Sequence, residues 1–261
     1  MSGRLSATFD RLARDGQAGF VAYVTAGDPT PAAFSTILQA LEEAGTDVIE
    51  IGIPFSDPLA DGPTIQAAAG RALAAGMTVR GVLDAVRAFR QSSEIPLVLF
   101  TYLNPIFAYG MEEFVREAVA CGADGLLVLD LPPEEAGLPA GLAPIRLVAP
   151  TTPPERMRRI CAGGEGFVYY VSREGVTGEQ SELADSIPDQ LAKLKSLTSL
   201  PIAVGFGISN AEQAVAIARQ ADAVVVGSAI VQRIARNPGD PARAVREFVG
   251  PLARATHQAR S

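Results

Sequence analysis

A single acid interrupts an aliphatic run, Val48-Ile49-Glu50-Ile51-Gly52-Ile53, in a stretch otherwise suited to a buried strand. A carboxylate buried there loses its hydration, so its pKa rises and a neutral acid becomes available near pH 7 to donate a proton. Glu50 is expected at the C-terminal end of that strand; the competing reading is a structural carboxylate paired with an arginine. Asp57 and Asp61 follow in the loop Pro54-Phe55-Ser56-Asp57-Pro58-Leu59-Ala60-Asp61-Gly62-Pro63, close enough in sequence to reach over Glu50. Two carboxyl groups over one site suit acid/base work with opposed pKa values. Asp57-Pro58 and Asp61-Gly62-Pro63 are also ordinary turn signals, so a turn role stays open for each.

A second group of residues suggests a phosphate grip. Gly205-Phe206-Gly207-Ile208-Ser209 and Gly227-Ser228-Ala229-Ile230 each follow an apolar run, and both offer bare backbone N–H groups ahead of a helix. Tight turns alone would also explain the glycines. Tyr23, Tyr102 and Tyr169 fall at or near the ends of apolar runs, with Phe100 and Phe206 close by, and could wall an aromatic slot or simply pack in the core.

What is missing narrows the chemistry. The chain has one histidine, His257, placed in the C-terminal tail, and two lysines, Lys193 and Lys195, within a helical pattern. A Schiff-base aldolase, a zinc aldolase and a triose-type isomerase each need lysines or imidazoles at the reaction centre. Carboxylates, tyrosines, backbone amides and helix dipoles must then do the work, with no metal. Cys121 and Cys161 have no C-x-x-C spacing and read as reduced packing thiols.

The elements that position these residues recur regularly. Eight short apolar runs, at 19–25, 47–52, 96–102, 125–130, 144–150, 166–172, 201–207 and 222–228, alternate with helical patterns. Near-continuous hydrophobicity suits parallel strands covered on both faces. Thr30-Pro31 and Asp240-Pro241 signal helix starts, and Ser209-x-x-Glu212 reads as a capping box. The stretch 64–94 is too long for one crossover helix and is expected to hold two, broken near Gly76 and Thr78. Residues 2–15 form an amphipathic helix that would plug the bottom of a barrel or serve an oligomer contact. The expectation is an α/β fold: one (β/α)8 TIM barrel over 1–261, with an extra N-terminal helix and extra helices after strands 2 and 8. Loops 52–63 and 172–190 break the rhythm, both after a strand, on the face where barrel enzymes carry their chemistry.

Composition agrees with one large core. The chain has 261 residues, 48% of them hydrophobic, and a formal charge of −7 from 29 acidic against 22 basic residues. That balance gives no footprint for nucleic acid. No apolar run approaches the roughly 20 residues that span a bilayer, and no leader opens the chain, so the expected setting is cytoplasmic.

The segment LEEAGTDVIEIGIPFSDPLADGPTIQ at 41–66, with SREGVTG at 172–178, GFGIS at 205–209 and GSAIV at 227–231, closely resembles tryptophan synthase alpha chains over essentially the whole sequence. The resemblance implies cleavage of indole-3-glycerol phosphate to indole and glyceraldehyde 3-phosphate. Glu50 would protonate indole C3, Asp61 would engage the indole N–H, and a base would take the glycerol 3′-hydroxyl proton, with Glu50 itself one candidate for that base. It further implies that Gly178, Gly207, Gly227 and Ser228 contact the phosphate, and that Tyr23, Ile65, Phe100 and Tyr169 line the indole slot. Loop 172–190, with Arg173 and Thr177, resembles a lid in which Thr177 closes onto Asp61. The chain departs from the family pattern where Tyr23 replaces a common phenylalanine, Phe100 a leucine and Phe167 a tyrosine. A beta subunit carrying pyridoxal phosphate is the implied partner, in an alpha2beta2 assembly, meeting loop 52–63 and segment 102–110; this chain itself would hold no cofactor. Two other readings remain: a non-catalytic barrel that activates a beta subunit, and a sugar-phosphate isomerase or cyclase of the histidine-biosynthesis type. The latter places its acidic pair on strands one and five, where this chain has none.

Overall fold

The computed structural model describes residues 3–135, 137, 139–171, 180–205 and 207–260. Helix α1, Arg4–Arg14, precedes strand β1, Gly19–Thr25. Then come α2, Pro31–Glu43, β2, Val48–Gly52, α3, Pro63–Ala74, α4, Val79–Phe89, and β3, Leu97–Thr101. Helices α5, Leu103–Tyr109, and α6, Met111–Ala120, lead to β4, Gly125–Val128, followed by the short β5, Ala143–Pro144, and β6, Arg146–Val148. The remainder runs α7, Pro154–Ala162, β7, Val168–Val171, α8, Gln180–Lys195, β8, Ile202–Gly205, α9, Ala211–Ala218, β9, Ala223–Val226, α10, Ser228–Arg236, and α11, Pro241–Gln258.

All strand pairs are parallel, in the order β5-β4-β3-β2-β1-β9-β8-β7-β6. The expected fifth strand is two pieces, because β5 pairs with β4 while β6 pairs with β7. Ile145 joins them, and its N–H reaches Leu126 O at 2.9 Å, so the chain itself carries the sheet round into a barrel. Pro144 has no N–H to give a ladder, which is why regular pairing changes sides there.

Side chains alternate along every strand. Val21, Val48, Val98, Leu127, Phe167 and Ala203 point inward and pack on Leu5, Phe9 and Leu12 of α1, so α1 closes the barrel floor. Phe20, Ala22, Ile49, Ile51, Leu97 and Leu99, the alternate residues, pack outward against the helices. The floor is riveted by a repeated device. Asp47, Asp124 and Asp222 each precede a strand, and each takes the N–H of Phe20, Leu97 or Ile202 on the preceding strand at 2.9 Å. Their own N–H groups return to the carbonyls of those same residues at 2.9 Å. Cations meet each carboxylate: Arg11 on Asp47, Arg90 and Arg4 on Asp124, Arg260 and Lys195 on Asp222.

The two helices expected in 64–94 are α3 and α4. They are broken at Gly76, whose φ of +85° is left-handed, and restarted by Thr78, whose side chain accepts from Gly81 N. Thr30 and Asp240 cap α2 and α11 as expected. The expected box at Ser209 is displaced by one residue. Asn210 caps α9 through Gln213 N, and Gln213 Oε1 accepts from Ser209 N at 2.9 Å, so the return bond closes on the residue before the cap. Strand-then-helix alternation also fails once: among the described residues no helix joins β4 to β5. Pro132, Pro133 and Pro139 with Gly137 and Gly141 leave no uninterrupted helical turn there. His257 lies in α11, not in a tail, with Nε2 2.7 Å from Asp47 Oδ2. Both cysteines are free and buried.

Candidate active site

Glu50 is the middle residue of β2 and not its tip, two places above inward-facing Val48. Its register neighbours are Tyr23 on β1 and Val98 on β3. It is 0% exposed, and neither carboxyl oxygen has a hydrogen-bond partner. Burial pushes its pKa up to about 8, so the group is a neutral acid at pH 7. The alternative of an arginine-paired structural carboxylate is excluded by those two bare oxygens.

The next inward position on β2 is Gly52, and a β-carbon there would stand 2.1 Å from Tyr23 Oη. Absence of a side chain at Gly52 thus admits the Tyr23 hydroxyl above Glu50. The Tyr23 ring meets Phe100 edge-on, with centroids 5.2 Å apart at 78°. Ile65, Ala68 and Val231 complete this apolar cluster. Across the barrel, Tyr169 on β7 repeats the arrangement, its hydroxyl 2.3 Å from where a β-carbon on Gly205 would lie. Burial first, then the charges of Glu50 and Tyr23, hold the Tyr169 hydroxyl well above the usual phenol range.

Asp61 is half-buried on the loop from β2 to α3. Burial lifts its pKa to about 6, restrained by a hydrogen bond from the Tyr102 hydroxyl. That same oxygen accepts from Ala60 N at 3.0 Å, and the Tyr102 ring lies 5.5 Å from Phe55. Tyr102 therefore holds the Asp61 loop, apart from the cluster around Tyr23. Asp57 is separated from this arrangement. It is exposed and accepts from Ser56 Oγ at 2.7 Å, so its turn reading is the one the geometry gives.

Strands β8 and β9 pair directly, which sets the loops after them side by side. Gly207 is exposed with φ +59°, while Gly227 is the N-terminal cap of α10 and offers no side-chain hydrogen bond. Ser228 is exposed in the first turn of that helix, where backbone N–H groups have no acceptor within the helix. Phe206, Arg173, Thr177 and Gly178 lie outside the described residues. The loop expected over 172–190 is shorter than that, because α8 begins at Gln180.

Sequence reasoning missed Ala68, Val231 and Phe55, which carry no chemical signal of their own, and the role of Gly52 as space for a neighbour. Among the described residues no group of three His, Cys, Asp or Glu side chains could hold a metal ion, and no helix is long and apolar enough to cross a membrane.

A protein-family model described as tryptophan synthase alpha chain matches residues 9–258. The chain belongs to the tryptophan synthase alpha chain family. The alpha chain from Geotalea daltonii is 47% identical over 243 residues, which is 91% of this chain and 92% of that protein. The one from Phenylobacterium zucineum is 49% identical over 239 residues, 89% of this chain and 86% of that protein. Tryptophan synthase subunit alpha from Legionella pneumophila superposes with a TM-score of 0.89 at 37% identity, covering 97% of this chain and 98% of that one. Tryptophan synthase from Mycobacterium tuberculosis gives 0.89 at 36% identity over 98% and 99%. As a tryptophan synthase alpha chain this protein is a lyase subunit, and its nearly closed parallel barrel is the architecture of those structures.

Proposed function

We propose that Glu50 and Asp61 carry the retro-aldol cleavage of indole-3-glycerol phosphate to indole and glyceraldehyde 3-phosphate. The observation that carries this reading is the Glu50 carboxyl, sealed in the barrel with no partner and a pKa of about 8. Glu50 delivers its proton to indole C3, and the ring nitrogen becomes cationic. Asp61, ionised above about pH 6, stabilises that charge through the indole N–H. Loss of the glycerol 3′-hydroxyl proton then drives the C–C bond apart, with the Glu50 carboxylate as the base at hand.

The slot of Tyr23, Ile65, Phe100 and Tyr169 receives the indole ring, with Tyr102 on its Asp61 side and Phe206 assigned from its place in the sequence after an apolar run. The N–H groups of Gly207 after β8 and of Gly227 and Ser228 at the start of α10 suit the phosphate. Gly178, Arg173 and Thr177 are assigned to phosphate contact and closure on the family resemblance alone. The chain needs no cofactor in this scheme. A beta subunit, holding pyridoxal phosphate in a cytoplasmic alpha2beta2 assembly, is the partner we assign. Leu59, 92% exposed on loop 52–63, and Phe107, 59% exposed on α5, are the apolar contacts offered to it. Indole release from indole-3-glycerol phosphate, assayed with and without a beta subunit, tests chemistry and partnership together. Absence of indole in both, even at single turnover, would leave a non-catalytic barrel.

A further inference from the structure

Proton donation turns Glu50 into an anion inside a dry barrel, and the free acid has no hydrogen-bond partner to inherit. Without a donor the anion would be costly, and the transition state leading to it slow. The groups that face Glu50 supply few candidates. Strand β3 contributes Val98 and Phe100, which have none, and Asp61 on the loop above is itself a carboxylate. Hydroxyls come from Tyr23 on β1 and Tyr169 on β7, the described titratable groups whose ionisation feels the charge of Glu50.

Tyr23 is the better placed of the two. It is the register partner of Glu50, and its hydroxyl sits over Gly52, the next inward position on the same strand. It is 8% exposed, so water does not compete for the bond. Burial first, then Asp61 and more weakly Glu50, hold its phenol well above the usual range, while the neighbouring Thr25 side chain works the other way; the phenol can give a hydrogen bond without giving a proton.

We propose that Tyr23 is a positioning residue whose hydroxyl donates a hydrogen bond to the Glu50 carboxylate once Glu50 has passed its proton to the substrate. The proposal rests on the reading of Glu50 as proton donor. No other proton moves in this step: the phenol keeps its O–H, and the proton lost from Glu50 ends on carbon.

Tyr23→Phe in the full chain removes one oxygen and keeps the ring that packs on Phe100. A donor to the charged form lowers a carboxyl pKa, so its loss raises the pKa of Glu50. The expected result is a kcat about tenfold lower with KM within about twofold, and an alkaline limb of kcat/KM displaced upward by about one pH unit. Isotope-edited infrared titration of the Glu50 carboxyl in the substrate-free protein should show the same upward displacement, independently of turnover. A Tyr23→Phe protein with unmoved kcat and unmoved titration would overturn the proposal, leaving the hydroxyl as filler over Gly52. A fall in activity with an unmoved titration would overturn it as well, since ring packing alone would explain that. Glu50→Gln separates this from the parent reading. If Glu50→Gln turns over normally, Glu50 is no proton donor; if it is inactive while Tyr23→Phe is unaffected, only the role of Tyr23 fails.

Discussion

The hydroxyl of Tyr23 and a β-carbon on Gly52 would lie 2.1 Å apart, so only one of these two residues can carry bulk above Glu50. Gly52→Ala is therefore expected to destabilise the chain by about 2 kcal/mol, the usual scale of overpacking, and to depress turnover by moving the tyrosine. Adding Tyr23→Phe should recover part of the stability and not all, because the ring Cζ would still stand 2.6 Å from the new methyl. Urea unfolding of the two single variants and the double variant measures this, and strictly additive losses would contradict it.

Glu50→Gln keeps the shape and removes the acid. Turnover should fall by on the order of 10³ with substrate affinity nearly intact, the scale of lost general-acid catalysis. Stability should move the other way. The folded pKa of Glu50, about 8, is above its unfolded value of 4.5, so the parent bears a cost that is absent below about pH 4.5 and full above about pH 8. The variant should melt roughly 5 °C or more above the parent at pH 8 and level with it at pH 4.5. Equal melting at both pH values would mean that the burial of this carboxyl has been misjudged.

The pH profile of indole release follows from the two carboxyls. Asp61 must be ionised and lifts to about 6, while Glu50 must be protonated and lifts to about 8. Activity, followed as kcat/KM, should therefore be bell-shaped, falling as pH drops below about 6 and as it rises above about 8. A profile flat from pH 5 to 9 would separate the chemistry from these groups.

Asp61→Asn should lower kcat by on the order of 10² and abolish the acid limb, the scale of one missing electrostatic stabiliser. Tyr102→Phe, which removes the hydroxyl bridging Ala60 N and Asp61, should shift that limb upward. A loss below about tenfold for Asp61→Asn would return Asp61 to a turn role.

Asp28, 1% exposed after β1, is clamped by Arg71 of α3 through bonds of 2.7 and 2.9 Å. Helix α3 follows directly from the Asp61 loop. Arg71→Met leaves a buried carboxylate unpaired and is expected to cost about 3 kcal/mol, whereas Asp28→Asn with Arg71→Met should cost less than that single change. Chemical denaturation of the three proteins decides it.

How much of this could be read beforehand depended on whether a residue announces itself. Glu50 did, because a charge has no place in an aliphatic strand unless it has a task. The eight strand runs and the double crossover at 64–94 were legible for the same reason: period and punctuation are local. The split at Ile145 was not, since it depends on which neighbour each half meets across the barrel. That no helix follows β4 among the described residues was signalled by Pro132, Pro133 and Pro139, but the regularity of the other crossovers hid it. Asp57 and Asp61 looked alike in sequence, and only the reach of Tyr102 separates them. Gly52 was visible as a letter and silent as a cavity, because the tyrosine that needs its space comes from another strand.

Helix α1, with Leu5, Phe9 and Leu12 seated under the inward residues, backs the chamber with an apolar floor. No step of the proposed cleavage calls for a proton from that side, because the 3′-hydroxyl proton that Glu50 takes up replaces the one it gives to carbon. The acid is thus rearmed by its own substrate within each turnover, and the apolar floor beneath it withholds nothing that the reaction needs.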